Sequence, residues 1–139
     1  MVSSEKVVFT NGCFDVLHRG HVEYLNEAKE LGTKLIVGLN SDSSVKRLKG
    51  DERPINSELD RKFLLENLKS VDEVIIFNED TPLELIKTLM PSVLVKGGDW
   101  PVEKIVGHEI VLASGGEVKS LSFKNGYSTT NTLEKIKSL

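Results

Sequence analysis

The sequence predicts an α/β fold: a single Rossmann-like, doubly wound domain with a five-stranded parallel sheet and helices on both faces. Three observations lead there. Short, nearly all-apolar runs alternate with amphipathic stretches along the whole chain, and strands apolar on both sides belong inside a sheet covered on both faces. Parallel neighbours need crossover connections, and right-handed crossovers wind helices onto both faces. The 139 residues, without an internal repeat or a linker-like stretch, fill one domain, 1–139.

The elements follow in order. Val7-Val8-Phe9-Thr10 is short and β-branched and stops at Asn11-Gly12, so it reads as a buried strand. From His21 to Leu31, Val22, Leu25, Ala28 and Leu31 fall on one helical face, with Gly32 as the expected C-cap. Leu35 to Leu39 is the second strand, and Asn40-Ser41-Asp42 caps a short helix through Lys46. Lys49 to Asn56, with Gly50, Pro54 and four charged residues, is a loop. Ser57-Glu58 opens a helix whose apolar stripe is Leu59, Phe63, Leu64, Leu65 and Leu68, leaving Arg61 on the polar side.

Val74 to Phe77 is the third strand. Thr81-Pro82-Leu83-Glu84 reads as a capping box with proline at the first helical position. Val93-Leu94-Val95 is the fourth strand, broken by Gly97-Gly98. Ile110 to Leu112 reads as a short strand or a helix end, Val118 to Phe123 as the fifth strand, and Thr130 to Leu139 as the closing helix.

Composition narrows the function classes. Hydrophobic residues at 39% and charged residues at 28% exclude a disordered chain. Eighteen Lys+Arg against 21 Asp+Glu leave a net charge of -3 and no global basic field, so nucleic acid is not an expected partner. The lone Cys13 excludes an internal disulfide and a cysteine-based zinc cluster. Met1 to Lys6 lacks the apolar stretch of a signal peptide. No apolar run approaches the roughly 18 residues of a membrane span, so the expectation is a cytoplasmic protein without a membrane partner.

In a doubly wound sheet, ligands bind beyond the carboxyl ends of the strands. The loop after the first strand, Thr10-Asn11-Gly12-Cys13-Phe14-Asp15-Val16-Leu17-His18-Arg19-Gly20-His21, leads into a helix N-terminus, a ready anion site. Gly12 is expected to let the backbone turn, and Gly20 to leave room for a ligand. His18 and His21 then sit at the positive end, able to donate to phosphate oxygens as charge builds there. A single histidine in such a place is usually an ordinary polar residue. Two of the chain's three histidines, spaced by three around a glycine, favour the functional reading. A metal set of Cys13, His18 and His21 lacks regular ligand spacing and has only Asp15 to complete it, so no metal ligands are assigned.

Other segments read consistently with an anionic ligand. Ser128-Thr129-Thr130 precedes the last helix, where hydroxyls and amides face an anion, although alone it is an ordinary N-cap. In Lys96-Gly97-Gly98-Asp99 the glycines admit a flat ligand and Asp99 accepts ribose hydroxyls; a charged turn is the equal alternative. Lys46, Arg47, Lys49 and Arg53 are the densest basic patch, a solvated face unless it clamps phosphates, with Lys46 and then Arg53 the candidates. Asp15 and Asp42 suit sugar hydroxyls or an indirectly held Mg²⁺. His108 reads as structural or exposed, and Trp100 as a pocket wall or a packing residue. Neither G-x-G-x-x-G nor G-x-x-x-x-G-K-[ST] occurs, which excludes the common dinucleotide and P-loop folds.

The segment Asn11 to His21, with its H-x-G-H, resembles the signature of the cytidylyltransferase-like nucleotidyltransferases. The resemblance continues through Ser57-Glu58-Leu59-Asp60-Arg61, Val71-Asp72-Glu73-Val74, Lys96-Gly97-Gly98-Asp99-Trp100 and Gly126-Tyr127-Ser128-Thr129-Thr130. Val37 to Gly50, Arg53-Pro54-Ile55-Asn56 and Asp80-Thr81-Pro82 resemble one branch, the adenylyltransferase part of the bacterial heptose kinase/adenylyltransferases.

The resemblance implies transfer of AMP from ATP to D-glycero-β-D-manno-heptose 1-phosphate, giving ADP-heptose and pyrophosphate, with Mg²⁺ accompanying the ATP. It implies His18, His21 and Lys46 as catalytic residues. For the nucleotide it implies Thr10, Asn11, Gly12, Cys13, Phe14, Gly20, Arg61, Lys96, Gly98, Asp99, Ser128, Thr129 and Thr130. Of these, Arg61 matches a triphosphate-binding arginine, and the Ser-Thr-Thr triplet holds the β- and γ-phosphates. Asp15, Asn40, Asp42 and Arg53 fall to the sugar phosphate. A homodimer and a separate sugar kinase in the pathway are further expectations. Some members carry an arginine shortly before the triplet, where this chain has Ser122-Phe123-Lys124-Asn125 and Lys124 is the available cation. The rival readings are a cytidylyltransferase acting on glycerol or another polyol phosphate, and a non-catalytic nucleotide-binding module.

Overall fold

The computed structural model describes residues 5–122 and 128–139. Five strands, β1 (Val7–Gly12), β2 (Lys34–Asn40), β3 (Glu73–Phe77), β4 (Val93–Gly97) and β5 (Glu117–Leu121), form one sheet in the order β3-β2-β1-β4-β5. Every adjacent pair is parallel. The crossovers carry α1 (Arg19–Glu30), α2 (Asp42–Lys49), α3 (Glu58–Glu66), α4 (Leu83–Leu89) and α5 (His108–Ala113), and α6 (Thr129–Lys137) follows β5. The doubly wound parallel sheet expected from the apolar runs is the observed fold.

Side-chain alternation along the strands builds a core on each face. Val8, Leu35, Val37, Leu39, Val93 and Val95 pack with Tyr24, Leu25 and Ala28 of α1 and Leu65 of α3. Phe9, Ile36 and Leu94 point the other way, onto Ile86 of α4, Val111 of α5 and Ile105 in the loop before α5. Helices therefore cover both faces.

The sheet is not paired evenly along β1. All six residues of β1 pair with β2, from Val7↔Lys34 to Gly12↔Leu39. On the other side the β4 register runs only through Val8↔Val93 and Phe9↔Leu94. Beyond Phe9 the two central strands part, and this is where the chain order reverses direction, the usual ligand position in such sheets.

Several expected boundaries move. Asn11-Gly12 does not stop β1 but ends it in register with β2. Gly12 meets the demand of a close approach rather than of a turn, because a Cβ there would come within 2.9 Å of the Phe14 ring. Gly32 likewise is not a left-handed cap. Leu31 is the C-cap, in the right-handed region, and a Cβ on Gly32 would strike the Lys6 carbonyl oxygen and come within 2.7 Å of Val8.

Pro82 is the N-cap of α4 and not its first residue, and in place of a capping box the Thr81 hydroxyl accepts from Leu83 N at 3.5 Å. Residues 108–113 form a helix, not a strand. The largest correction is on α3, where only Leu65 and Leu68 of the expected stripe reach the core. Leu59 and Phe63 are 70% and 66% exposed, whereas Arg61 is fully buried.

Candidate active site

The chain leaves β1 through a loop held in an unusual backbone conformation. Phe14 and Val16 have φ of 47° and 55°, left-handed values that a β-branched valine rarely adopts. Asp15, between them, is pinned from several directions. Its Oδ2 accepts from Ile55 N at 2.7 Å and Arg53 Nε at 3.0 Å, and its Oδ1 from Asn56 N at 2.9 Å. Burial alone would raise the Asp15 pKa, but the hydrogen bonds from Asn56, Ile55 and Arg53 outweigh it and the net shift is downward. Its carbonyl accepts from Thr129 Oγ1 at 2.6 Å, bringing the first turn of α6 onto the same loop.

His18 is the N-cap of α1, and His21 lies in the first turn of that helix. Their rings stack at 3.8 Å between centroids, 21° from parallel. Phe14 meets His21 edge-on at 5.4 Å. The His18 backbone N–H donates to His21 Nδ1 at 3.2 Å, which fixes a tautomer carrying its proton on Nε2. Burial, reinforced by the neighbouring His18, lowers the His21 pKa to about 4. Burial also lowers that of His18. At neutral pH the pair is therefore a set of neutral donors at a helix N-terminus.

Where β1 and β4 part, a cavity of about 260 Å³ is lined by Asn11, Gly12, Cys13, Phe14, His21, Tyr24, Lys96 and Gly97. On the other side of the strands, a second recess includes Asn11, Lys96, Thr81, Ile105 and Val106. The loops after β1 and β4 thus converge as expected. Thr10 lies deeper than a ligand contact, because its hydroxyl is paired with Tyr24 Oη at 2.5 Å in the core. Gly20 is buried in the first turn of α1.

The sequence profile of the cytidylyltransferase-like family matches residues 9–135. The chain belongs to the cytidylyltransferase-like family. A protein of Marinomonas sp. (strain MWYL1) named bifunctional protein HldE is 58% identical over 134 residues, which are 96% of this chain and 28% of that protein. The HldE of Haemophilus influenzae (strain PittEE) is 57% identical over 135 residues, 97% of this chain and again 28% of its own length. The chain thus spans little more than a quarter of these curated relatives.

Among solved structures, the lipopolysaccharide core biosynthesis protein from Thermoplasma volcanium GSS1 superposes with a TM-score of 0.68 at 31% identity, covering 89% of this chain and 99% of that one. Pantothenate synthetase from Thermus thermophilus, at 17% identity and a TM-score of 0.56 over 96% of this chain and 66% of that one, shares the fold alone.

Within this family domain, Arg61 is placed differently from expectation. It is not on a polar helix face but at the centre of the site's foundation. Nε donates to the Asn56 carbonyl at 3.0 Å, Nη1 to the Cys13 and Asn40 carbonyls at 2.8 Å each, and Nη2 to Asp42 Oδ1 at 2.9 Å. Four donor bonds of the fork hold three loops together. Asp42 is correspondingly committed to Arg61, and Asn40 is buried with its amide nitrogen donating to Ser44 Oγ at 3.0 Å. Arg53 is committed through Nε to Asp15. Of the residues expected at the sugar phosphate, all four therefore lie beside the site but are tied into its walls.

The basic patch divides in a way the charge pattern did not foretell. Lys46 is exposed on the last turn of α2. Arg47 is exposed but engaged; it straps α2 to the loop after β3 through Asp80 Oδ1 at 2.8 Å and the Asn78 carbonyl. Lys49 is the cation that bears most on Cys13. Burial raises the Cys13 pKa, and Lys49, ahead of Arg61 and Arg53, opposes that rise. Lys49 is exposed like Lys46, and the three-residue spacing puts both on one helical face.

At the end of β4, Lys96 Nζ lies 5.4 Å from the Trp100 ring centroid. Asp99 is exposed and accepts from Ser122 Oγ at 2.7 Å. Gly98, with φ of 99°, turns the chain and donates its N–H to Leu121 at 2.8 Å. Ser128 is the N-cap of α6, accepting from Asn131 N at 2.9 Å. Phe123, Lys124 and the Gly126-Tyr127 part of the motif lie outside the described residues. His108 is structural, with Nδ1 bound to the Ile105 carbonyl at 2.8 Å.

Among the described residues no group of three His, Cys, Asp or Glu side chains is arranged to hold a metal ion. No helix among them is long and apolar enough to cross a membrane.

Proposed function

We propose that the chain transfers AMP from ATP to D-glycero-β-D-manno-heptose 1-phosphate, releasing pyrophosphate and ADP-heptose. The observation that carries the reading is the junction at Asp15. There the neutral His18–His21 pair on α1 and the Ser128-capped start of α6 are brought to one loop, beside the parting of β1 and β4. The heptose in particular rests on the 58% identity to an HldE protein and on the branch resemblance.

A sugar 1-phosphate is already an anionic nucleophile, so no general base is needed. One of its oxygens attacks the α-phosphorus in line. The new P–O bond forms as the bond to the pyrophosphate oxygen breaks, without a covalent enzyme intermediate. Catalysis then rests on positioning and charge stabilisation. Two phosphate charges about 4 Å apart repel by roughly 1 kcal/mol in water and by several-fold more where water is excluded. Helix N-termini, each equivalent to about half a positive charge, offset part of this.

In this reading His18 and His21 donate to the α-phosphate, and Lys46 and Lys49 neutralise the approaching phosphates. Ser128 and Thr130 face the leaving pyrophosphate. The recess lined by Asn11, Gly12, Cys13, Phe14, Lys96 and Gly97 takes the nucleoside, with Gly98 and Asp99 at its rim. Arg61, Arg53, Asp15, Asn40 and Asp42 hold the walls in place. Mg²⁺ enters with ATP as part of the substrate.

The proposal extends to a cytoplasmic enzyme supplied by a separate sugar kinase. It also includes a homodimer, with the solvent-facing Leu59 and Phe63 of α3 in its support.

The test is a matrix of the four nucleoside triphosphates against several sugar phosphates and polyol phosphates, read by pyrophosphate release. Release confined to ATP with the β-heptose 1-phosphate supports the reading. A preference for CTP with a polyol phosphate transfers the chain to another branch, and binding without release makes it a nucleotide-binding module.

A further inference from the structure

The Ser128-Thr129-Thr130 triplet does not act as one phosphate cradle. We propose that Thr129 is a positioning residue, whose hydroxyl latches the loop after β1 and is not a phosphate donor. The inference rests on the transfer reaction proposed above.

Proton counting carries it. A threonine hydroxyl has one proton, and phosphate oxygens next to it at neutral pH act as acceptors. Thr129 Oγ1 already gives that proton to the Asp15 carbonyl at 2.6 Å, with the Val16 carbonyl 3.5 Å away. It can serve a phosphate only by releasing the loop. Ser128 stands differently, since its Oγ accepts from Asn131 N at 2.9 Å and its own proton remains for a ligand. Thr130 is exposed in the first helical turn.

The carbonyl that Thr129 holds lies at the strained part of the loop. Asp15 stands between two left-handed residues, Phe14 and Val16, a conformation that persists only where the surroundings over-determine it. The carboxylate of Asp15 is fixed from residues 53–56 and its carbonyl from Thr129. Removing the hydroxyl removes one of these two anchors. The backbone leading to His18 can then relax, and the histidines lose their register with the start of α6. Turnover should suffer, while ground-state binding of ATP should not.

Thr129→Val keeps the shape and β-branching but deletes the proton, and Thr129→Ser keeps the proton. Each is measured for steady-state pyrophosphate release, pyrophosphate inhibition and melting temperature, with Thr130→Val as the comparison. We expect Thr129→Val to lose about 30-fold or more in kcat, with KM for ATP and the pyrophosphate inhibition constant within about threefold of wild type. Thr129→Ser should recover most of the turnover, and Thr130→Val should raise KM instead.

A raised KM and weaker pyrophosphate inhibition in Thr129→Val, with kcat preserved, would overturn the inference, as would a serine variant no better than valine. Should Thr129→Val fail to fold, Thr129→Ala takes its place, since it also deletes the proton: lowered kcat at unchanged KM supports the latch, and raised KM overturns it. If the wild-type chain releases no pyrophosphate at all, the transfer reading fails separately. Calorimetric binding of pyrophosphate then judges the latch. Equal affinity in wild type and Thr129→Val upholds it, and a loss of about tenfold or more contradicts it.

Discussion

The backbone N–H of His18 donates to Nδ1 of His21 across 3.2 Å. One bond thereby settles which His21 nitrogen carries the proton and turns Nε2–H into a donor toward any anion at the start of α1. With its pKa lowered to about 4 by burial and by His18, that ring stays neutral through the physiological range. In the proposed transfer its contribution is a directed hydrogen bond, strengthening as charge develops on phosphorus-bound oxygens, and not a fixed positive charge.

Replacing either histidine by alanine should accordingly lower kcat by about two orders of magnitude or more, while KM for ATP changes by only a few-fold. Steady-state kinetics on both variants checks this. Unchanged kcat with a raised KM would mean that the rings only anchor the ground state.

The buried histidine also sets a pH dependence of stability. In the unfolded chain His21 takes up a proton near pH 6.5, whereas in the folded chain it does so near 4. Between those values the unfolded state binds more protons, so stability is full above about pH 6.5 and falls as the pH drops toward 4. The melting temperature should decline through that window, and His21→Gln should flatten the decline. Asp15 acts lower: with its pKa depressed below 3.8, it withdraws stability only as the pH falls below that value. A melting temperature level from pH 7 to pH 4.5 would contradict the His21 account.

Arg61 is predicted to be a stability residue before it is anything else. Truncation to alanine strips donors from the Cys13, Asn40 and Asn56 carbonyls and from Asp42. Loss of such a buried fork is expected to destabilise by about 3–5 kcal/mol. Lysine should rescue little, because one ammonium cannot reproduce the planar fork. Urea denaturation measures both variants, and midpoints close to wild type would contradict the assignment.

The case of Arg61 also marks where sequence reasoning reached its limit. The β1 to β4 strands were legible because apolar runs of that length have few alternatives to a covered parallel sheet, whereas β5, Glu117-Val118-Lys119-Ser120-Leu121 at the sheet edge, carries two charges and read less clearly. Legible too were the His18–His21 pair and the Ser128 cap, whose meaning lies in their local spacing. The α3 stripe misled because helical periodicity equates apolar with buried. Arg61 is buried for another reason: backbone carbonyls of Cys13 and Asn40, 48 and 21 residues away, satisfy its guanidinium. The Arg53–Asp15 and Thr129–Asp15 bonds join residues 38 and 114 apart. No local pattern encodes such bonds.

On α2 the distribution of charge predicts two kinds of effect. Lys49→Ala should impair turnover, because Lys49 shares the helical face of Lys46 and its charge reaches the loop after β1. Lys46→Ala should impair it likewise, and arginine at either position should restore only part. Arg47→Ala should instead lower stability by about 1 kcal/mol or less, as an exposed ion pair is lost. Kinetics and melting curves on the set separate these cases, and an Arg47 variant with crippled turnover at full stability would contradict this division.

A single in-line transfer of a nucleoside monophosphate onto a sugar phosphate is tested most directly by the stereochemistry at phosphorus. Supplied with one diastereomer of the α-thio analogue of ATP and D-glycero-β-D-manno-heptose 1-phosphate, the protein should yield the thio-ADP-sugar and pyrophosphate in equal amounts. The α-phosphorus configuration should be inverted. Retention would mean two displacements through a covalent enzyme adenylate, and the absence of any thio-ADP-sugar, while ATP and the sugar phosphate still bind, would contradict the transfer itself.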